Sequence, residues 1–238
     1  MTQAPLNGRW ADVAKQRSST WWLLSRLVIE QPTKTWLDEL ESVLQTVDAD
    51  AGKPLGPESA ALLAALQSAR QQSNGLTALA VDRTSLLAGV LHKGRLAGPY
   101  ESASLGLDMN GDKVTDAAQF YLEAGLIDFC AELGPPDYLG TQLRFMSVLA
   151  YREMLAHQAA DDVLAARWLD MQQRFLETHL LDWVPSHCEK MARLAKTDYY
   201  RATSNLLKAA CELDVADVLE ISKQTAANSQ AVASGATT

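Results

Sequence analysis

The chain has 238 residues, 47% hydrophobic and 21% charged, with 21 basic and 29 acidic side chains and a net charge of −8. It is too apolar for a disordered chain and long enough to bury a core of its own, and its acid excess disfavours nucleic acid and anionic lipid while favouring basic ligands. No run approaches the 18 or more apolar residues of a membrane-spanning helix, since Trp21-Trp22-Leu23-Leu24 is broken by Ser25 and Arg26. The N-terminus lacks the basic, apolar and small-residue order of a signal peptide, so a cytoplasmic protein without membrane insertion is expected. Cys130, Cys188 and Cys211 are far apart in sequence and read as buried thiols rather than a disulfide framework. The acid excess is uneven: residues 1–119 carry 11 basic and 13 acidic groups, residues 120–238 carry 10 and 16, so the halves sum to −2 and −6.

Helical periodicity dominates. Val13, Arg17, Thr20, Trp21, Leu24, Leu27 and Val28 mark a long amphipathic helix from Trp10 that ends near Gln31-Pro32. Trp36, Leu37, Leu40, Val43, Leu44 and Val47 make a second, stopped by the Gly- and Pro-rich loop Asp48 to Pro57. An alanine-rich third helix runs from Glu58 to Gln72, and a fourth from Leu76 to Leu87. The stretch from Gly89 to Asp112, with five glycines and Pro99, is the longest irregular segment and reads as a functional loop or a hinge.

Helices resume over Val114–Cys130, and then comes Gly134-Pro135-Pro136-Asp137-Tyr138-Leu139. Pro136 suits a first helical turn, and Asp137 complements the free N–H groups there. Behind it Leu139, Leu143, Met146, Ala150 and Met154 recur at spacings of four, three, four and four, one face of a helix predicted over Pro136 to His157. Further helices are predicted over Asp161–Trp183, Pro185–Ala195, Asp198–Asp214 and Val215–Ser222, with a disordered tail from Lys223. The expected architecture is an all-α, single-domain bundle of about nine or ten helices over residues 1–222, followed by a tail over 223–238.

Motifs for catalysis and metals are poorly matched. No histidine follows a Glu by three residues, as di-iron bundles require, and Glu153 and His157, four apart, read as a surface pair. His187-Cys188-Glu189 points in different directions on a helix and has no second cluster at zinc spacing. Asp108 to Asp112 misplaces the glycine of a calcium loop, and Gly106 to Lys113 departs from a phosphate loop, with Asp112 before the lysine and Val114 after it. His179 lies in the stripe Trp168, Met171, Phe175, His179, Trp183, either as a satisfied core histidine or as a groove-lining group that hydrogen-bonds a partner.

Several segments, in order, resemble the TorD/DmsD family of cytoplasmic chaperones that mature molybdenum-containing redox enzymes. Trp22-Leu23-Leu24-Ser25-Arg26-Leu27 is similar to the family's Leu-Leu-Ser-x-Leu helix. Asp82 to Leu87 followed by Gly98-Pro99-Tyr100-Glu101-Ser102 resembles its acidic-x-x-Arg-Leu-Phe helix and Pro-Tyr-Glu-Ser loop. Phe120 to Leu126 resembles its Tyr-x-x-x-Gly-Leu segment, Gly134 to Leu139 its Glu-Pro-x-Asp-His-Leu signature, and His179 to Pro185 its His-Leu-x-x-Trp-x-Pro run. Gly134 replaces the usual Glu, Tyr138 the usual His, Ser85 the Arg and Leu87 the Phe.

The resemblance implies a non-enzymatic, system-specific chaperone. It would bind the twin-arginine signal peptide and the apo-form of a molybdoenzyme catalytic subunit and delay export until cofactor insertion. Leu86, Leu87, Tyr100, Glu101, Ser102, Asp137, Tyr138 and His179 are the implied peptide-binding residues. The molybdopterin belongs to the client and no cofactor to the chaperone, with weak GTP binding a trait of the family; it would be a monomer or a helix-swapped dimer hinged at Gly89 to Asp112. A helical metal-dependent or nucleotide-hydrolysing enzyme is the alternative.

Overall fold

The computed structural model describes residues 6–47, 53–88, 98–108 and 111–235, apart from the side chains of 6–7 and 222–235. Eleven α-helices and one π-helical turn occur among them, and the β structure described is a single isolated bridge. The all-α expectation holds, with one or two more helices than periodicity alone predicted.

The central pair is α1 (Leu6–Ile29) and α8 (Leu139–Gln158). They run antiparallel: Ala11 and Ala14 cluster with Met154, Ser18 Oγ donates to the Ser147 carbonyl at 2.9 Å while Ser147 Oγ donates back to that of Ser18 at 2.9 Å, and Ser25 Oγ donates to the Gly140 carbonyl at 2.9 Å. Gly140 permits this approach, because a Cβ there would lie 2.5 Å from Ile29 Cγ1 and 2.7 Å from Tyr138 Cε1.

Around the pair stand α2 (Lys34–Thr46), capped by the Thr33 hydroxyl, α3 (Gly56–Gln71) and α4 (Gly75–Leu87). Helix α4 ties two distant helix ends. Buried Asp82 accepts through Oδ2 from the amides of Lys196 and Thr197 at 3.0 and 2.8 Å, capping the start of α11 (Asp198–Gly235). Arg83 donates to the carbonyls of Val28, Ile29 and Glu30 at 2.9, 2.9 and 3.0 Å, satisfying the C-terminus of α1.

The remaining elements are α5 (Glu101–Leu105), α6 (Asp112–Glu123), α7 (Cys130–Leu133), α9 (Asp162–Phe175), the π-helical turn Leu176–Leu180 and α10 (Val184–Leu194). Four expectations change. The irregular stretch contains α5, while its residues 89–97 and 109–110 lie outside the described ones. Helix α6 ends at Glu123, before Gly125 at φ +75°, instead of reaching Cys130. Helix α8 begins at Leu139 behind an extended Tyr138, not at Pro136, so Asp137 does not cap it. One continuous α11 replaces the two predicted helices, its backbone helical through Gly235.

Glu153 and His157 are a further correction: both are buried. Glu153 Oε2 accepts from Arg17 Nη1 at 2.9 Å and Gln172 Nε2 at 2.8 Å, and Arg17 Nε donates to Asp214 Oδ1 at 2.6 Å. This centre joins α1, α8, α9 and α11. Its arginine faces two buried carboxylates, so Arg17→Ala leaves them uncompensated and is expected to cost about 3–5 kcal/mol in a urea titration, with Lys restoring only part because it lacks the fork.

Candidate functional site

The predicted helix start and the Pro-Tyr-Glu-Ser segment meet as a crossed pair of strand-like residues. Tyr100 and Tyr138 form an antiparallel bridge, with the Glu101 amide donating to the Asp137 carbonyl at 2.9 Å and the Leu139 amide to the Pro99 carbonyl at 2.8 Å. The two tyrosine rings pack with centroids 5.4 Å apart. Asp137 turns away from its own helix and caps α5: its Oδ2 accepts from the Ser102 amide at 3.3 Å and from the Ser102 hydroxyl at 2.5 Å. The signal read as a helix start is thus a cap for a different helix. Tyr121 fixes the same turn by donating to the Pro136 carbonyl at 2.6 Å.

Glu101, launched by this crossing, points inward. Its Oε2 accepts from Gln142 Nε2 at 2.7 Å and lies 2.9 Å from His179 Nδ1, while Lys113 Nζ is 3.1 Å from Oε1. The His179 ring sits between Phe120 and Phe175, at centroid distances of 5.4 and 4.9 Å. Its Nε2 faces Asp116 Oδ2 at 3.3 Å. Lys113 also donates to the Thr178 carbonyl at 2.7 Å and approaches Asp182 Oδ2 at 4.0 Å. Asp116 and Asp182 are 46% and 60% exposed, so the buried centre opens to solvent at their carboxylates.

The structure therefore brings together Tyr100, Glu101, Ser102, Asp137, Tyr138 and His179. Glu101, Ser102, Asp137 and His179 are at most 2% exposed, which makes them the frame behind a surface rather than the surface itself. Leu86 and Leu87 are core residues at the end of α4. His179 is a buried core histidine: Nδ1 is partnered by Glu101, and Nε2, buried and without a hydrogen bond, faces Asp116. Tyr138 packs against the core and its hydroxyl donates to the Val28 carbonyl at 3.4 Å; burial pushes its pKa up to about 12, so it stays neutral where a histidine would titrate.

Sequence reasoning missed Lys113, Asp116, Asp182 and Gln142. Gln142 carried a signal: it lies three residues after Leu139 and beside Leu143, a polar group on the buried stripe. Lys113 and Asp116, at the start of α6, carried none that separates them from a solvated helix end.

On its other side α5 is held by His187 of α10, whose Nδ1 lies 3.2 Å from Ser104 Oγ. Burial, reinforced by Lys190, pulls the His187 imidazole down to about 4.

Fold and site define an all-α protein whose buried polar groups are structural and whose Glu101 centre opens to solvent at the carboxylates of Asp116 and Asp182. A family described as nitrate reductase delta subunit matches residues 51–189, more than half of the chain. The chaperone protein TorD of Vibrio atlanticus is 26% identical over 205 residues, 84% of this chain and 93% of that one. That of Photobacterium profundum is 26% identical over 216 residues, 86% and 95% of the two chains. The chain belongs to the nitrate reductase delta subunit family and is a maturation chaperone of the TorD type, not an enzyme. No described helix is long and apolar enough to cross a membrane.

Two outcomes are expected. Asp137→Ala and Ser102→Ala should each lose about 1–3 kcal/mol and be strongly non-additive in a double-mutant cycle by urea denaturation, because each removes the same bond. His187 is neutral when folded and has its ordinary pKa of 6.5 when unfolded. Between pH 6.5 and about 4 the unfolded chain therefore binds more protons, and stability falls with pH by an amount on the order of 3 kcal/mol. His187→Gln should flatten that part of the stability profile.

Proposed function

We propose that this chaperone binds, in the cytoplasm, the twin-arginine signal peptide of a molybdenum-containing oxidoreductase subunit and assists cofactor insertion before export. The observation that carries the reading is the excess of negative charge at the mouth. Glu101, Asp116 and Asp182 gather there around the ammonium of Lys113 and the imidazole of His179, where α5 and α6 meet the segment before α10. Paired guanidinium groups form the strongest hydrogen bonds with such carboxylates. Leu105 and Leu107, exposed at and just after the end of α5, are apolar surface on offer to the hydrophobic part of a leader. Tyr138, kept neutral by burial, adds no change of charge near neutrality at its own position.

Calorimetric titration with a synthetic leader from the oxidoreductase encoded beside the gene tests this. Binding is expected to weaken about tenfold or more when both leader arginines are replaced by alanine, or when Asp116→Asn and Asp182→Asn are combined, and to weaken as salt is raised. A wild-type protein silent towards that leader would overturn the reading.

A further inference from the structure

The centre at Glu101 is short of positive charge and yet contains a lysine that closes it. Three carboxylates, Glu101, Asp116 and Asp182, lie within 4.0 Å of Lys113 Nζ or His179 Nε2, and one permanent cation, Lys113, stands among them. The ammonium is in ion-pair contact with Glu101 Oε1, but that oxygen has no hydrogen bond of acceptable geometry, and neither does buried His179 Nε2. If His179 Nδ1–H donates to Glu101, the bare Nε2 faces Asp116 Oδ2, acceptor against acceptor at 3.3 Å. The place accommodates a cation with more donors than an ammonium can aim. Its acceptors are a buried carboxylate oxygen, the Thr178 carbonyl on the π-helical turn, and two half-open carboxylates.

We infer that this cradle is a guanidinium subsite and that Lys113 is its resident occupant, displaced by an arginine side chain of the incoming leader. The inference rests on the function proposed above and adds a device to it. Lys113 is 24% exposed on a flexible four-carbon stem at the start of α6, so it can swing to solvent while Glu101 stays buried. The incoming group must then replace the lost ammonium. A planar guanidinium presents five donors in a fork for Glu101 Oε1, the Thr178 carbonyl and Asp182, the groups Lys113 Nζ now faces, whereas a second ammonium offers nothing that Lys113 does not already provide. The placeholder lowers the apparent affinity of any incoming cation by one common factor, set by the fraction of molecules in which Lys113 is displaced. Selectivity for arginine over lysine comes from the fork, and the internal lysine sets how tightly the cradle binds.

The test compares wild type with Lys113→Met, Lys113→Gln and Lys113→Arg, titrated with the leader and with a leader whose paired arginines are lysines. Lys113→Met is expected to bind both leaders about tenfold more tightly, within the usual range of coupled equilibria, and to keep the discrimination in favour of the arginine leader. Lys113→Arg should bind more weakly than wild type, since the fork is then filled from within. Equal or weaker binding of the arginine leader by both Lys113→Met and Lys113→Gln overturns the placeholder and leaves the proposed function standing. A second arm needs no leader. L-Argininamide at millimolar concentration should raise the melting temperature of Lys113→Gln more than that of wild type, with lysinamide as control. No difference between the two proteins overturns the inference, while such a difference beside a wild type silent to the leader supports the subsite and overturns the leader reading.

Discussion

The carboxylate of Glu101 is fully buried, and moving an ionised carboxylate out of water costs several kcal/mol unless neighbours replace the lost hydration. The neighbours come from separate elements: Gln142 from α8, His179 from the π-helical turn and Lys113 from α6. Helix α5 is too short to hold its own orientation, so it is fixed from outside by Asp137 at its start and by His187 along its side. The Tyr100–Tyr138 bridge then sets the distance between this assembly and the start of α8. The glutamine on the buried stripe of α8 answers the demand made by Glu101, donating to it from Nε2.

Helix α8 passes through both polar centres. Gln142 near its start serves Glu101, and Glu153 near its end serves Arg17, with Ser147 between them and Gly140 just before Gln142 holding α1 close. The two centres differ in consequence. The one at Arg17 is sealed inside four helices and fixes the packing of α11. The one at Glu101 reaches solvent through Asp116 and Asp182, and only there can charge be exchanged with a partner. Surface salt bridges elsewhere on the molecule contribute little by comparison.

The departures from the family pattern acquire physical meaning in the fold. Gly134, in place of the usual Glu, has φ +109° and ψ −171°, a conformation strained for residues with a side chain. A Cβ there would still find room, 3.6 Å from the Tyr138 ring, so the constraint is backbone strain rather than crowding. Tyr138 spans from the Tyr100 ring to the Val28 carbonyl at the end of α1.

Much of the fold was legible in local pattern. The 3.6-residue period of Leu139, Leu143, Met146 and Ala150 gives α8 whatever surrounds it, and the proline and glycine punctuation places α2, α3 and α4 to within a few residues. The family segments likewise located six of the residues that converge. What the chain could not show locally is which group satisfies which. Asp137 precedes a helix and looks like its cap, yet it caps α5, 35 residues earlier, and Glu153 and His157 look like a surface pair until α9 and α11 cover them. Periodicity and backbone stereochemistry act between residues a few positions apart and are written in order along the chain. Burial and charge compensation act between residues up to 197 positions apart, and only the packed structure decides whether a carboxylate faces water, an amide or a lysine. That decision turned Pro136-Asp137-Tyr138 from a helix start into the point where the chain crosses the Pro-Tyr-Glu-Ser segment and caps α5.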